Sequence, residues 1–392
     1  MILLNVAIIF CALVVGYCYL LYPMLIRLLA KKYPEPSIID ESYLPSISII
    51  LAVHNEERVI ESCLASLLAL DYPKENIEIL IGSDGSSDST NEILLRYQAQ
   101  YPYIKAFCFS AQRGKIAVLN DLITTTTSEI LFCLDADIEL TPNTLRVQVR
   151  HFADTKIGAV AGLYKIESPK GSTLSRSEEE YTSLDQEIRT AESIYHSSVG
   201  LGGCNYTLRR SLWKPFPDNL IHDDLFVLLS VLDQGFRVFF EPLSVASELF
   251  ARNIREEFRR KSRSASRGFH TFSFFPALIF PRSGKSALLL WSHKLLRWLS
   301  PLFVIIAIAL AFVGYNASSG LFYQIILWGV VFAAIIVLVG YYAERGSIAI
   351  PLVRQLSWLI VMNAAYVVGV MKYLTKSDHQ VWMSSSRPEL DK

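Results

Sequence analysis

Residues 130–137 read Ile-Leu-Phe-Cys-Leu-Asp-Ala-Asp, an apolar run that ends in two carboxylates one residue apart. The run predicts a strand that is buried on both faces of a sheet. Residues i and i+2 of an extended segment point the same way, so Asp135 and Asp137 can meet one object. Mg²⁺ and Mn²⁺ take oxygen ligands, often one or two carboxylates plus substrate phosphates. The pair therefore predicts a divalent-metal site.

The segments around this run alternate between short β-rich stretches and helical ones. Strands are predicted at 47–53, 77–81, 104–109 and 130–134, and helices at 56–70, 89–100 and 115–124. This alternation predicts an α/β fold with a mostly parallel sheet and helices on both faces. Ligands of such sheets bind outside the carboxyl ends of the strands.

Polar side chains follow three of the predicted strands at those carboxyl ends. Asn55 and Glu56 follow the first strand, Asp84 follows the second, and Asp135 and Asp137 follow the fourth. Each has an ordinary structural explanation, because Asn and Asp cap helices and Asp-Gly marks turns. Three such positions within one domain favour a ligand-binding edge of the sheet.

The chain as a whole is short of charge. Of its 392 residues 52% are hydrophobic and 19% are charged, whereas ordinary soluble domains carry about 25% charged residues. Lys plus Arg and Asp plus Glu each number 37, so no global positive field exists for nucleic acid. This composition excludes a disordered chain and argues against a simple soluble enzyme. The six cysteines form no CxxC pair, which is typical of reduced, packed thiols.

Uncharged stretches long enough to cross a bilayer lie at both ends of the chain. Residues 1–26 carry no charge and Lys31 and Lys32 follow closely, so we expect a retained anchor with its cationic end in the cytoplasm. Residues 298–374 are expected to hold about three transmembrane helices. Residues 276–297, with leucines on one side and cations at the end, are expected to form an amphipathic interfacial segment.

The tail, residues 375–392, leaves the membrane topology open. One span plus three spans would place the C-terminus outside the cell. Lys372, Lys376 and Arg387 instead favour the cytoplasmic side. The sequence alone does not decide between the two.

The polar middle of the chain, about residues 45–275, resembles a family 2 glycosyltransferase of the GT-A fold. It is similar in particular to membrane-anchored bacterial enzymes related to cellulose, chitin, hyaluronan and poly-N-acetylglucosamine synthases. The motifs that carry the resemblance are Ala52-Val-His-Asn-Glu56, Ser83-Asp84-Gly-Ser-Ser-Asp88, Arg113-Gly-Lys115 with Leu119-Asn120, Asp135-Ala-Asp137, Gly202-Gly-Cys-Asn205 and His222-Asp223-Asp224. The resemblance implies a GT-A domain over residues 44–275, on the cytoplasmic side of the inner membrane, that uses a nucleotide-sugar donor with Mg²⁺ or Mn²⁺.

The resemblance also implies which residues bind the donor. Asn55 and Glu56 would border the nucleotide, and Asp84 would accept a hydrogen bond from a uracil ring. Lys115 would lie beside the base and ribose, and Asp135 near the ribose.

The remaining implied roles concern the metal, the acceptor and the general base. Asp137 would hold the metal on the donor diphosphate, and Gly203 and Cys204 would lie near the donor sugar and the acceptor. Asp224 would be the base, with Asp223 at a position where Glu is usual. Without the resemblance, the place of Asp224 at the start of a helix predicted over 223–234 favours an N-cap instead.

One motif of the related synthases is incomplete in this chain. Processive enzymes carry Gln-x-x-Arg-Trp after the base, whereas this chain reads Glu257-Phe-Arg-Arg-Lys-Ser-Arg263. Arg260 can be matched, but the Gln and the Trp are absent, so the sequence does not support long-chain processive synthesis. The cations between Arg259 and Arg267, including Arg260 and Arg263, suit either the donor diphosphate or anionic lipid head groups.

The leading interpretation is an inverting, metal-dependent enzyme that moves a sugar from a nucleotide sugar, with a UDP-sugar as the expected donor, to a growing surface glycan or exopolysaccharide. An alternative is transfer of a single sugar to a lipid carrier, such as a polyprenyl phosphate or a glycolipid. A membrane scaffold with a decayed transferase fold is opposed by the intact Asp84, Asp137 and Asp224. A transporter is opposed by the small number of spans and intramembrane charges. The sugar, the acceptor and any partner subunits stay open.

Overall fold

The structure, a computed structural model, describes residues 1–166, 173–248, 254–345 and 350–377. Its described strands are β1 Ile47–Val53, β2 Ile77–Asp84, β3 Ile104–Phe109, β4 Ile130–Cys133, β5 Ile138–Leu140, β6 Ile157–Ile166, β7 Tyr206–Arg209 and β8 Arg237–Glu248. They form one eight-stranded sheet in the order β3-β2-β1-β4-β7-β6-β8-β5.

The sheet is mostly parallel, as predicted. β1 pairs in parallel with β2 and β4, and β2 with β3. β7 runs antiparallel between β4 and β6, and β5 runs antiparallel to β8. The prediction of an α/β fold with a mostly parallel sheet is therefore confirmed, although the sequence pattern had indicated only the first four strands.

The described α-helices cover the sheet and continue at both ends of the chain. They are α1 Ile2–Gly16, α2 Tyr22–Lys32, α3 Ile60–Leu68, α4 Thr90–Gln100, α5 Lys115–Thr125, α6 Thr144–Val149, α7 Thr173–Tyr195, α8 Asp223–Asp233, α9 Ile254–Phe272, α10 Gly284–Leu290, α11 Leu296–Ser318, α12 Leu321–Arg345 and α13 Pro351–Leu374. Helix α3 begins four residues later than predicted, because Asn55 adopts a left-handed backbone with φ 55° and a turn follows it.

Strand β1 shows why the sheet lies at the centre of the domain. Every residue of β1 is buried. Ile47, Ile49 and Leu51 pack into the core on one face, whereas Ile50 and Ala52 pack into the core on the other. Burial of a side chain of this size contributes roughly 1.5–3 kcal/mol to folding, so the strand is specified from both faces.

Among the described residues, four helical stretches are long and apolar enough to cross a membrane, and the chain is a membrane protein. They are Ile2–Lys32, Pro281–Ser318, Leu321–Ala343 and Pro351–Leu374. The first joins α1 to α2 through a π-helical turn at Tyr17–Leu21, and so extends beyond the expected limit at residue 26. Asn5 of α1 accepts a hydrogen bond from Tyr323 of α12, and Phe10 packs on Phe303 of α11.

The segment 276–297 differs from the expected in-plane amphipathic helix. It holds two short 3₁₀ turns, then α10 and a π-helical turn at Trp291–Leu295 that continue without a break into α11. His293 and Arg297 are buried and bond to Asp185 of α7, at 2.9 and 3.2 Å. His293 and Arg297 therefore face an acidic side chain of the domain. Of the tail 375–392, residues 378–392 lie outside the described residues, including Arg387.

Candidate active site

The carboxyl ends of β2, β1 and β4 lie side by side, because these strands are neighbours and parallel. The order brings the polar segments after β1, β2 and β4 to one edge of the sheet. Asn55, Asp84 and Asp135 thus stand on adjacent strands, as the sequence pattern predicted for a ligand-binding edge.

Asp84 holds the turn that precedes α5. Its carboxylate is fully buried, with Oδ1 accepting from Arg113 N at 2.8 Å and Oδ2 from Gly114 N at 2.7 Å. Gly114 has φ 96°, a conformation that favours glycine. Asp84 therefore positions Lys115, the first residue of α5. A contact with a uracil ring, which the resemblance implied, would need a further lone pair of this already engaged carboxylate.

Lys115 joins two of the predicted site carboxylates. Its Nζ lies 2.9 Å from Asp135 Oδ1 and 2.8 Å from Asp223 Oδ2. Burial would lower the pKa of Lys115, but the charges of Asp135 and Asp223 raise it well above its usual value, so the ammonium stays charged. The pKa of Asp135 lies above its usual value. Burial raises it most, Lys115 lowers it, and the negative charges of Asp137 and Asp223 raise it further.

Asn55 and Glu56 anchor the acidic turn after β2. Asn55 Oδ1 accepts from Ser87 N at 2.8 Å, and the Asn55 N–H donates to Ser86 Oγ at 3.1 Å. The backbone N–H of the buried Glu56 donates to Thr90 Oγ1 at 2.9 Å. Both residues thus fasten the end of β1 to the turn that follows β2, and they shape the floor of the site.

The charges of four carboxylates act on the buried thiol of Cys63 on α3. Burial and then the charges of Asp137, Glu139, Asp135 and Glu56 raise the pKa of this thiol. No group of three or more His, Cys, Asp or Glu side chains in the described residues could alone hold a metal ion. This donor set is compatible with a cation held by few carboxylates and completed by the phosphates of a ligand.

Asp223 and Asp224 open helix α8, next to the carboxylates of β4. His222 occupies the N-cap position and makes no capping hydrogen bond, so Asp224 is not the N-cap. Asp224 Oδ1 lies 3.0 Å from His222 Nε2 and accepts from Leu225 N at 2.8 Å. Burial would raise the pKa of Asp224, but His222, the charge of Lys294 and the Leu225 N–H lower it far below its usual value. Asp224 is therefore ionised at neutral pH.

Glycines allow the chain before β7 to pass close to Asp224. A Cβ on Gly203 would lie 3.5 Å from the Asp224 carboxylate, and one on Gly202 would lie 3.6 Å from Arg189 Nη1. Gly202 has φ 73°. The loop that carries Gly203 and the half-buried Cys204 therefore runs between Asp224 and Arg189.

Two cations near Asp224 were not predicted from the sequence. Arg189 lies on α7 and pairs with Asp185 at 2.7 Å. Lys294 lies in the π-helical turn 291–295, and its Nζ lies 5.8 Å from the ring centroid of Trp298. The only signal for Lys294 was its place among the cations at the end of residues 276–297.

Arg260 and Arg263 lie on α9, which packs beside α8. Arg260 bonds through Nε and Nη2 to Glu257, at 2.7 and 2.6 Å. Glu257 is buried, and Lys261 lies 3.5 Å from it. The structure thus places Arg260 against a carboxylate of its own helix, and a role toward the diphosphate stays a prediction for both arginines.

Comparison with known proteins agrees with this fold. Residues 48–216 match the model of glycosyl transferase family 2. The chain is 29% identical over 260 residues to a poly-beta-1,6-N-acetyl-D-glucosamine synthase of Staphylococcus aureus, which covers 65% of this chain and 61% of that protein. It is 26% identical over 232 residues to a probable glycosyltransferase of Bacillus subtilis, covering 57% of this chain and 55% of that protein. The chain thus spans less than two thirds of the length of these relatives.

A solved structure extends the likeness to the whole chain. A mannosyltransferase from Pyrobaculum calidifontis, solved in complex with GDP-Man and Mn²⁺, superposes with a TM-score of 0.72. The match covers 96% of this chain and 100% of that one at 21% identity, so it bears on the fold alone. The sheet and its polar edge define the GT-A class of glycosyltransferase folds. Within that class, residues 48–216 resemble the domain of glycosyl transferase family 2.

The ion pairs of Lys115 generate a first prediction. Lys115→Met leaves Asp135 and Asp223 facing each other without a cation, so it should lower the free energy of unfolding by about 1–3 kcal/mol. Thermal unfolding of the purified protein in nanodiscs measures this. The loss should shrink as the pH is lowered, because protonation of Asp135 removes the repulsion.

The matched control is Lys214→Met. Lys214 pairs with Asp233 at 3.5 Å on the exposed surface, where such pairs contribute about 0–1 kcal/mol. Equal losses for the two variants at neutral pH would show that Lys115 does not hold the site together.

Proposed function

We propose that the domain transfers a sugar, with inversion of the anomeric centre, from a nucleotide sugar to a hydroxyl of a growing surface glycan. The observation that carries the proposal is the position of Lys115, whose ammonium contacts both Asp135 of the metal motif and Asp223 beside the proposed base. Because each contact is under 3 Å, the two motifs face one small volume at the carboxyl edge of the sheet. The likeness to a polysaccharide synthase over 65% of the chain supports a glycan product.

The donor would lie along the edge formed by β1, β2 and β4. Asn55, Glu56 and Asp84 shape the nucleotide end, and Lys115 and Asp135 line the next part. Asp137 would hold Mg²⁺ or Mn²⁺, which neutralises the charge that develops on the departing diphosphate. A UDP-sugar is the first donor to test.

Asp224 is suited to the acceptor end of the site. Its carboxylate is ionised and lies close to the loop that carries Gly203. A carboxylate within about 3 Å of an acceptor hydroxyl can take its proton in the transition state. The same step forms the bond from the hydroxyl oxygen to the anomeric carbon and breaks the bond to the diphosphate, so inversion follows from one displacement.

The acceptor could instead be a lipid carrier, and one observation favours that candidate. The Gln and Trp of the processive motif are absent, and Arg260 is already bonded to Glu257. Incubating membranes with labelled nucleotide sugars and sizing the product separates the two. A long polymer supports glycan synthesis, and a single labelled sugar in the lipid extract supports lipid transfer.

The domain would face the cytoplasm, where nucleotide sugars are made. The support is the placement of Lys31 and Lys32 at the end of α2, directly after the first apolar stretch.

Removing the carboxylate of Asp137 should abolish metal-dependent donor binding. We expect Asp137→Asn to bind UDP equally weakly with and without Mn²⁺, because the cation loses its protein ligand. Titration calorimetry of purified protein with UDP, in the presence and absence of Mn²⁺, measures the difference.

Asp71→Asn is the matched control, since Asp71 pairs with Arg146 on the exposed surface. An Asp137→Asn variant that still gains affinity from Mn²⁺ as the parent does would refute the assignment.

Removing the charge of Asp224 should slow the sugar-transfer step and leave donor binding unchanged. Asp224→Asn is expected to lower kcat by about 10²–10⁴-fold with little change in UDP affinity. Asp223→Asn should lower kcat less than Asp224→Asn does, because Asp223 contacts Lys115 and is not the proposed base. If Asp224→Asn keeps near-parental kcat while Asp223→Asn is inactive, Asp223 is the base.

The contacts of Asp224 also predict a pH dependence. His222→Gln removes the group that, after burial, most affects the pKa of Asp224, so that pKa should rise. Asp224 acts as a base only when ionised, so activity falls as pH drops through its pKa. The acidic limb of kcat/KM should therefore move to higher pH in the variant. His270→Gln is the control. If the acidic limb of kcat/KM lies at the same pH in His222→Gln as in His270→Gln, this account is contradicted.

A further inference from the structure

Helix α13 packs along α9, in the most extensive helix–helix contact of the described residues. A Cβ on Gly369 would lie 2.6 Å from the Ser262 carbonyl oxygen and 2.7 Å from Ala265 Cβ. Four residues later, the Tyr373 ring lies 5.7 Å from that of Phe269, itself four residues after Ala265. The two helices therefore run side by side in the same direction.

Helix α9 is too charged to lie in hydrocarbon. Within its 19 residues it carries Arg255, Glu256, Glu257, Arg259, Arg260, Lys261, Arg263 and Arg267. A single Arg or Lys at the bilayer centre costs about 2.5–3.5 kcal/mol on an insertion scale. Helix α9 must lie outside the hydrocarbon core, and a helix that runs beside it shares its depth.

The contacts of α13 with the other membrane helices agree. Asn363 Oδ1 accepts from Tyr19 Oη at 2.7 Å, and Tyr19 Oη lies 3.3 Å from Ser300 Oγ near the start of α11. Ten residues further on, Tyr373 packs on Phe269, whose ring lies 5.5 Å from that of Trp298. Ten helical residues span about 15 Å. The partners of Asn363 and Tyr373, which are Tyr19 and Phe269, nevertheless both contact the first turns of α11. Helix α13 therefore passes across the end of α11 on the side of the domain.

Helix α12 also ends on the side of the membrane helices where the catalytic domain lies. It begins beside the far end of α11, where Tyr323 packs on Gly314, and returns toward the domain. Near its end, a Cβ on Gly340 would lie 2.7 Å from Ser357 of α13. Helix α13 thus starts at the domain side of the membrane and has no need to cross.

We propose that α13 lies in the polar surface of the membrane beside α9, so that the described residues cross the bilayer three times and the end of α13 lies on the same side as the catalytic domain. This revises the expected three spans within residues 298–374 to two. It also removes the conflict of Lys372, Lys376 and Arg387 with the positive-inside rule.

The partner of the outer face of α13 is the membrane itself. The exposed side of the helix carries an apolar stripe, formed by Leu352, Ala364, Val368, Met371 and Leu374. These positions fall within about 160° of one another at 100° per residue. The buried Trp358, Met362, Ala365 and Gly369 fall on the opposite side, whereas the buried Ser357 and Val370 lie toward the two edges of the stripe. A helix with one face on protein and one apolar face outward buries that face among acyl chains at the interface.

Cysteine labelling of the full chain in intact cells tests the topology. Ser377→Cys reports the end of α13, and Ala317→Cys reports the last turn of α11, next to its connection with α12. Both are made in a Cys108→Ser background. The exposed natural Cys108 marks the catalytic domain. With an impermeant maleimide, Ser377→Cys should behave as Cys108 does and Ala317→Cys should behave oppositely. A Ser377→Cys that behaves as Ala317→Cys overturns the proposal.

The comparison is internal, so it does not depend on the proposed function or on which side the domain faces. If the domain were outside, Cys108 and Ser377→Cys would both be labelled, which would refute the cytoplasmic orientation and leave the position of α13 intact.

Depth measurements give a second, independent test. Spin labels placed on Leu352, Val368 and Leu374 should all report one shallow depth in nanodiscs, from the ratio of accessibility to oxygen and to a polar nickel reagent. Labels on the exposed Leu321, Trp328 and Leu338 of α12 serve as the control. Their measured depth in the bilayer should rise to a maximum and fall again along the helix. A maximum within α13 as well would show that it spans the bilayer.

Discussion

The Lys115 ammonium is the contact on which the organisation of the site depends. Carboxylates that leave neighbouring strands at the same edge of a sheet repel one another, and burial makes that repulsion larger. Lys115 offsets it by bonding to Asp135 after β4 and to Asp223 at the start of α8. Asp84 fixes the turn before Lys115 through two backbone N–H groups. Three separate elements are thereby held at one point, with Asp137 on one side of it and Asp224 on the other.

A second set of buried charges attaches the membrane helices to the domain. His293 bonds to both Asp185 and Glu192 of α7, and Tyr22 of α2 donates to Glu192. Burial would raise the pKa of Asp185, but the charges of Arg189 and His293 lower it well below its usual value. The carboxylate therefore stays ionised, and the pairing fixes the helical turn that carries Lys294. Through this turn the membrane part of the chain contributes a positive charge to the surroundings of Asp224.

The sequence predicts well the first four strands and the meeting of polar residues at one edge of the sheet, because both follow from local patterns. Apolar runs mark β1 to β4, and polar residues directly after them must lie at the edge of a parallel sheet. Strands β5 to β8 escape prediction, since β5 has three residues and its pairing with β8 joins segments about a hundred residues apart. The partners of Lys115 and Asp84 are likewise long-range and leave no local signal. Hydropathy also misjudges 276–297, because an amphipathic helix has the same pattern whether its polar face meets head groups or buried acids such as Asp185.

The most direct test of the account is a structure of the full chain in nanodiscs with a non-hydrolysable UDP-sugar and Mn²⁺, with the metal located by its anomalous signal or its density. The account predicts the metal between Asp137 and the diphosphate, at the carboxyl edge of β1, β2 and β4, with the anomeric carbon facing Asp224. A nucleotide bound at that edge but with the metal away from Asp137, or a nucleotide bound elsewhere on the domain, would contradict it.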